Sequence, residues 1–387
     1  MNNMGVLYIV GEDVEKDIAK GLAYYQQAAE AGNGQAAENL AYVYENGEHV
    51  EQSYELALKW FKVAAERGYV DSMFKVGYYY DEAISGEQNY IEAAKWYAKA
   101  ANGGDAVAMN NLGLLYEFGL GVEKNETKAV ELYLNGAEGG NMHAMTNLGN
   151  SYLNGTGVEQ DYEKARPWLL KAAEQNHVRS LFLLGWIYGE GNGVKQSYKK
   201  SMEWYRKAAE QNSSDAMYNI GIYYENGDGV RRNLREAYTW FSKAAELNDS
   251  WAQNKLGEYY LAGQGVSADP KQAFHWFTLS ANNNYDIGQF NLANMYAEGQ
   301  ATEQDDKQAL KYYELAASNG HEQAAFSAGK MYEEGQGTEQ DLEKAIEMYQ
   351  LDSSAKAKFR ISSVERKIKC AAKSQKSMKD ELLCVFD

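Results

Sequence analysis

Serine followed three residues later by lysine occurs at Ser72-Met73-Phe74-Lys75, Ser197-Tyr198-Lys199-Lys200 and Ser353-Ser354-Ala355-Lys356. On one helical face that spacing sets an amine beside a hydroxyl, the nucleophile arrangement of penicillin-recognising enzymes. The S-D-N and K-T-G segments that complete such a site do not occur in the chain. His49, His143, His177, His275 and His321 are scattered singly, with no pair at metal-ligand spacing. Gly-x-Gly turns recur, but without the strand and following residues of a phosphate-cradling loop. The only cysteines, Cys370 and Cys384, are too few for a metal centre, and the terminal Cys384-Val385-Phe386-Asp387 ends in a residue unusual for a prenylation box. No catalytic residue, metal or cofactor is assigned, and the chain reads as non-enzymatic.

The dominant regularity is architectural. Tyr8, Tyr44, Tyr80, Tyr116, Tyr152, Tyr188, Tyr224, Tyr260, Tyr296 and Tyr332 stand 36 residues apart without a gap. A constant period over most of a chain means one supersecondary unit copied end to end. A small residue precedes each tyrosine by three positions, as at Gly5, Ala41, Gly77 and Gly257, and another follows by thirteen, as at Ala57, Ala93 and Ala273. Small side chains in fixed columns let helices approach closely.

Two helices per unit follow. Val107, Ala108, Leu112, Leu115 and Tyr116 recur at spacings of three and four, an amphipathic stripe. A turn comes next, with glycines such as Gly119 and Gly121, the first suited to a helix C-terminus. Val122, Val158 and their equivalents are expected to pin that turn to the core. Asp17, Ser53, Asn89, Asn125, Asp161, Ser197, Asn233, Asp269, Asp305 and Asp341 form one column of N-cap residues for a second helix, and Pro270 suits its first position. The second helix carries an aromatic pair, as in Trp204-Tyr205, Trp240-Phe241 and Trp276-Phe277, expected as core, and closes on an alanine pair such as Ala244-Ala245. Pro167, inside one second helix, removes an internal hydrogen bond and predicts a kink or a delayed start near Arg166.

Segments such as Ala237–Glu246 (AYTWFSKAAE) and Asn219–Val230 (NIGIYYENGDGV) resemble the Sel-one-like repeat family, a helix–turn–helix relative of the tetratricopeptide repeat. The resemblance runs from about Gly5 to about Tyr349. It implies an all-α fold, a right-handed α/α superhelical solenoid of about ten 36-residue helix-turn-helix repeats, serving as a protein–protein interaction scaffold or adaptor. Residues 1–352 are read as the solenoid, with a truncated first repeat that is either a shortened capping helix or the edge of a fragment. Residues 353–387 are read as a basic amphipathic C-terminal capping helix. Its seam is Ala357, Ile361, Val364, Ile368, Ala371, Gln375, Met378, Leu382 and Val385, with pairing to a second chain as the alternative. Some bacterial members staple each helix pair with a disulfide. No repeat column here holds cysteine, which favours a reducing compartment.

The net charge is −17, and residues 353–387 carry nine Lys or Arg against four Asp or Glu. So acidic a body repels phosphate backbones, which argues against nucleic acid. No stretch reaches the roughly 18 apolar residues of a membrane helix. Met4 to Val10 lacks the basic flank and cleavage site of a signal peptide. The expectation is a cytoplasmic monomer with a protein or peptide partner.

The partner surface is expected on the first helices, which line the concave side of related solenoids. The candidates are Tyr42, Phe74, Tyr78, Asn111, Asn147, Phe182, Trp186, Tyr218, Asn219, Ile222, Phe290 and Asn291. Aromatics there can anchor a partner, and asparagines can bond either an extended peptide or the neighbouring helix. The alternative function is a bacterial immunity- or regulator-type protein neutralising one cognate partner, with a hydrolase behind it.

Overall fold

The computed structural model describes residues 1–11, 14–47 and 49–374. Within them all regular structure is helical, in twenty-one helices. Chain contacts gather into two compact units, Met1–Gln196 and Ser197–Asp387.

In the first unit, the first helices of successive repeats are α1 (Asn2–Val10), α3 (Gly34–Asn46), α5 (Val70–Asp81), α7 (Ala106–Phe118), α9 (Met142–Asn154) and α11 (Val178–Glu190). The second helices are α2 (Ile18–Glu30), α4 (Tyr54–Glu66), α6 (Tyr90–Asn102), α8 (Glu126–Glu138) and α10 (Tyr162–Glu174). In the second unit, the second helices are α12 (Tyr198–Ala209), α14 (Leu234–Glu246), α16 (Pro270–Asn282), α18 (Asp306–Ser318) and α20 (Leu342–Gln350). The first helices there are α13 (Ser214–Asn226), α15 (Ser250–Ala262), α17 (Asp286–Glu298) and α19 (Glu322–Glu334), and α21 (Ala355–Ser374) follows.

One contact recurs inside the repeats. In most repeats the small residue of the first helix faces a ring twenty positions later on the second; at Gly149 the residue opposite is Leu169. A Cβ added to Gly257 would lie 2.4 Å from the Phe277 ring, at Gly113 2.5 Å from Tyr133, and at Gly329 2.7 Å from Tyr349. Those rings are essentially buried, as are Phe61, Tyr97 and Phe241. Where the ring is tyrosine its hydroxyl is paired: Tyr97 donates to Asp81 at 2.9 Å and Tyr349 to Glu333 at 2.8 Å.

The predicted caps are realised. Asn89, Asp161 and Asp269, like the rest of that column, accept a backbone N–H of the first turn through the side chain. The same residue donates its own N–H to the carbonyl of the tyrosine nine positions earlier, as from Asn89 to Tyr80 at 2.8 Å. The cap therefore closes the turn and starts the helix together. Gly119 takes the left-handed conformation at the end of α7. Gly121 has a second reason to be glycine, since a Cβ there would lie 2.3 Å from the Tyr90 backbone of the preceding repeat.

Two expectations need correcting. The helix around Pro167 is not delayed: α10 begins at Tyr162 under the Asp161 cap and is helical through Pro167. The proline withholds one N–H, from the carbonyl of exposed Glu163, which water can satisfy, while buried Ala165, Leu169, Ala172 and Ala173 hold the helix in place. The aromatic pair is also not uniformly core. Its second member is buried throughout, and Trp60 and Trp96 are buried as well, but Trp204, Trp240 and Trp276 are only half-buried. Neighbouring helical positions point about 100° apart, so only one of the pair can face the small residue.

At the C-terminus α21 packs on α20, burying Ala357 and Val364 in a cluster with Ala345 and Tyr349, and Ile361 and Ile368 lie against it. Arg360 and Lys367 reach the buried carboxylate of Glu333, at 3.5 and 2.6 Å. Burial pushes that carboxyl up, but Lys367, Tyr349 and Arg360 outweigh it and hold it below its usual range. The expected seam residues Gln375, Met378, Leu382 and Val385, and Cys384, lie outside the described residues.

Phe241→Ala should cost about 3–5 kcal/mol, the range for a fully buried ring. Trp240→Ala should cost only about 1 kcal/mol, because its ring is half-exposed, with Lys243 4.2 Å and Arg206 5.7 Å from its centre. Denaturant unfolding followed by circular dichroism checks this, and equal losses would contradict the division of the pair.

Candidate partner-binding face

The candidate residues expected on the first helices fall in both units. In the first unit Tyr42 is half-buried, edge-on to Phe61 at 5.1 Å, with the Lys75 ammonium 5.3 Å from its ring centre. Tyr78 is exposed and stacks on half-buried Phe74 at 6.1 Å. Phe182 and Trp186 are half-buried on α11. In the second unit Tyr218 and Ile222 are half-buried on α13. Phe290 stacks on the His321 imidazole at 4.4 Å.

Three of the four candidate asparagines bond a neighbouring helix, and the fourth bonds its own. Asn147 donates to Asn110 at 2.9 Å and Asn291 to Asn254 at 2.9 Å, each reaching into the previous repeat. Asn111 donates to the Tyr97 hydroxyl at 3.3 Å, and Asn219 to the Asp215 carbonyl within its own helix at 2.7 Å. They bond neighbouring repeats or their own turn.

The serine–lysine motifs are absorbed by the fold. Ser72 is fully buried and donates to Glu38 at 2.8 Å, while Lys75 pairs with Glu45 at 3.0 Å. Ser197 caps α12. Ser353 donates to Glu322 at 2.9 Å, and Lys356 lies over the Phe326 ring at 4.2 Å.

Two features escaped sequence reasoning. Singly placed in the chain, His143 and His177 meet across neighbouring repeats, with His177 Nε2 3.2 Å from His143 Nδ1. The other ring nitrogen of His177 lies 2.9 Å from the hydroxyl of buried Thr146, itself 2.6 Å from Ser180 Oγ. The available signal was their separation of 34, two short of the repeat period. Among the described residues no group of three or more metal-ligating side chains assembles. The second feature is Trp251, more than half exposed on α15, which stacks on Tyr285 at 5.5 Å and meets Tyr218 edge-on at 5.8 Å. A tryptophan outside the second-helix column was its signal.

In the second unit a concavity of about 750 Å³ is walled by Phe326, Ser327, Lys330 and Met331 of α19, with Asp306 and Tyr313 of the second helix α18 beside them. Asp352, Ser354 and Lys356 close it near the chain's last helix.

Successive antiparallel helix pairs, each closed by a small residue under a ring and a shared cap, define an α/α repeat protein. The chain belongs to the Sel1 repeat family, whose model matches ten stretches: 1–33, 34–69, 70–105, 106–141, 143–177, 178–213, 214–249, 252–285, 287–321 and 322–351. Among solved structures, a protective antigen present in uropathogenic Escherichia coli strains, displaying an SLR fold, is 33% identical. That match covers 95% of this chain and 79% of the antigen, with a TM-score of 0.71. A Sel1 repeat protein from Oxalobacter formigenes is 28% identical over 80% of this chain and 90% of its own, with a TM-score of 0.65. An immunity protein from Pseudomonas aeruginosa is 21% identical over 55% of this chain and 81% of its own, but its TM-score of 0.39 carries no argument. No curated protein matches. No helix among the described residues is long and apolar enough to cross a membrane.

The histidine pair gives a pH dependence. Burial lowers the His177 pKa, and His143 and then Arg179 lower it further. A histidine held low when folded takes its proton first in the unfolded chain, so stability is full above the ordinary value near 6.5 and falls below it. Between about pH 7.5 and 5.5, His177→Gln should lose less melting temperature than the parent protein. Parallel losses would show that the pair does not couple protonation to folding.

Proposed function

We propose that this protein is a non-enzymatic scaffold that holds a partner protein or peptide along the first helices of its repeats. Membership of a family of helical interaction repeats supports the class. The observation that supports the location is the concavity beside α19, because Phe326, Ser327 and Lys330, in columns that the repeat pattern leaves free of core, line it together with Asp306 and Tyr313 of α18 and residues near the last helix. Tyr78 and Phe74 occupy the equivalent columns in the first unit. Rings on such a face contribute little to folding and much to an interface.

Photoreactive benzoylphenylalanine placed at Tyr78 and at Lys330 should give the same partner adduct in host cells. The same probe at Lys311, exposed on α18 of the opposite helix set, should give none. Adducts from Lys311 alone, or equally from all three positions, would move the interface off the first helices.

A further inference from the structure

Trp251, Tyr285 and Tyr218 form an aromatic cluster across three successive first helices, and its most exposed member is the tryptophan. On the second helices several tryptophans, buried or half-buried, are covered by the protein's own cations. Lys99 stands 3.5 Å from the Trp96 ring centre, Lys171 4.3 Å from Trp168, Lys207 4.3 Å from Trp204 and Lys243 4.2 Å from Trp240. Those lysines sit one turn further along the same helix, the spacing that brings side chains together. The equivalent position after Trp251 is Asn254, and among the described residues no lysine or arginine lies over Trp251 or Tyr285. The nearby cation Lys255 is engaged by Glu225 at 3.4 Å and Glu258 at 3.2 Å.

The surroundings are anionic. Glu258, Glu225 and Asp249 act on Tyr218 after burial, and its hydroxyl is pushed up to about 12. Around Tyr285, burial and Tyr218 are joined by Asp286 and Glu258, with Lys255 alone opposing them, and that hydroxyl too is pushed up to about 12. Asp215 adds its charge beside Asp249. An uncovered π-face within several carboxylates attracts a guanidinium or ammonium twice, through the ring quadrupole and through charge.

The geometry points to the Trp251–Tyr285 stack as a docking site for an arginine or lysine of a basic partner segment. This rests on the scaffold reading and adds the partner's chemistry to it. Arginine suits the site best, because its planar head stacks on a ring while its edge donates to carboxylates.

The probe is a labelled peptide of arginines spaced by glycine and serine, compared by anisotropy at low salt with its glutamate counterpart. The arginine peptide should bind and the glutamate peptide should not. Trp251→Ala should weaken binding about tenfold, Trp251→Phe should keep most of it, and Trp240→Ala should leave it unchanged. Removing charge nearby, with Glu258→Gln and Asp286→Asn, should weaken binding more than Glu131→Gln with Glu138→Gln in the first unit. Unchanged affinity in Trp251→Ala, or equal losses from both charge pairs, would reduce the effect to net charge and overturn the assignment. If Trp251→Ala proves unstable, Trp251→Phe and the two charge pairs decide alone. Adducts at Tyr78 and Lys330 with peptide binding indifferent to Trp251 would sink this inference and leave the scaffold reading standing.

Discussion

A ring lying on a small residue is the contact from which the rest of the structure follows. Gly257 under Phe277 or Gly113 under Tyr133 brings two helix backbones together at a distance any larger residue would forbid. The ring then fills the interior of its own pair, as dense packing requires. Because most pairs are closed this way, the other face of the first helix is left to neighbouring repeats and to solvent. A shared cap fixes the phase: Asn89 or Asp269 ends the turn through its N–H and opens the second helix through its side chain. Repeats built so depend on the next pair to cover their apolar flanks, and α21 supplies that cover for the last one, its basic residues neutralising buried Glu333.

The repeat, its caps and its glycine turns were legible because each rests on residue type at a fixed spacing. Asp161 identifies a helix start whatever surrounds it. The depth of the aromatic pair was not legible, because Trp204 and Tyr205 are equally apolar as residue types and differ only in direction. The delayed start expected at Pro167 failed for a related reason: local chemistry disfavours the proline, while the cap before it and the buried alanines around it determine where the helix begins. The meeting of His143 with His177, and of Trp251 with Tyr285, crosses repeat boundaries between columns that hold different residues elsewhere, so no single column announces it.

The candidate face shows the same divide. Its aromatic members were readable as a variable column beside an invariant core. The asparagines were readable only as polar, and their actual bonds to Asn110 and Asn254 make them part of the join between repeats. The rings and charges of this face vary from repeat to repeat, on a frame whose repeating contacts do not.

The central claim is that the small residue and the ring opposite it form one energetic unit. A double-mutant cycle of Gly257→Ala and Phe277→Leu, read by denaturant unfolding, tests it directly, since Leu169 already stands opposite Gly149 in another repeat. Alanine beneath the phenyl ring should carry an overpacking cost of about 1–3 kcal/mol that the smaller leucine relieves, giving a coupling above about 0.5 kcal/mol. Additivity within about 0.3 kcal/mol would mean that the two positions do not sense each other and that the helix pairs are held together some other way.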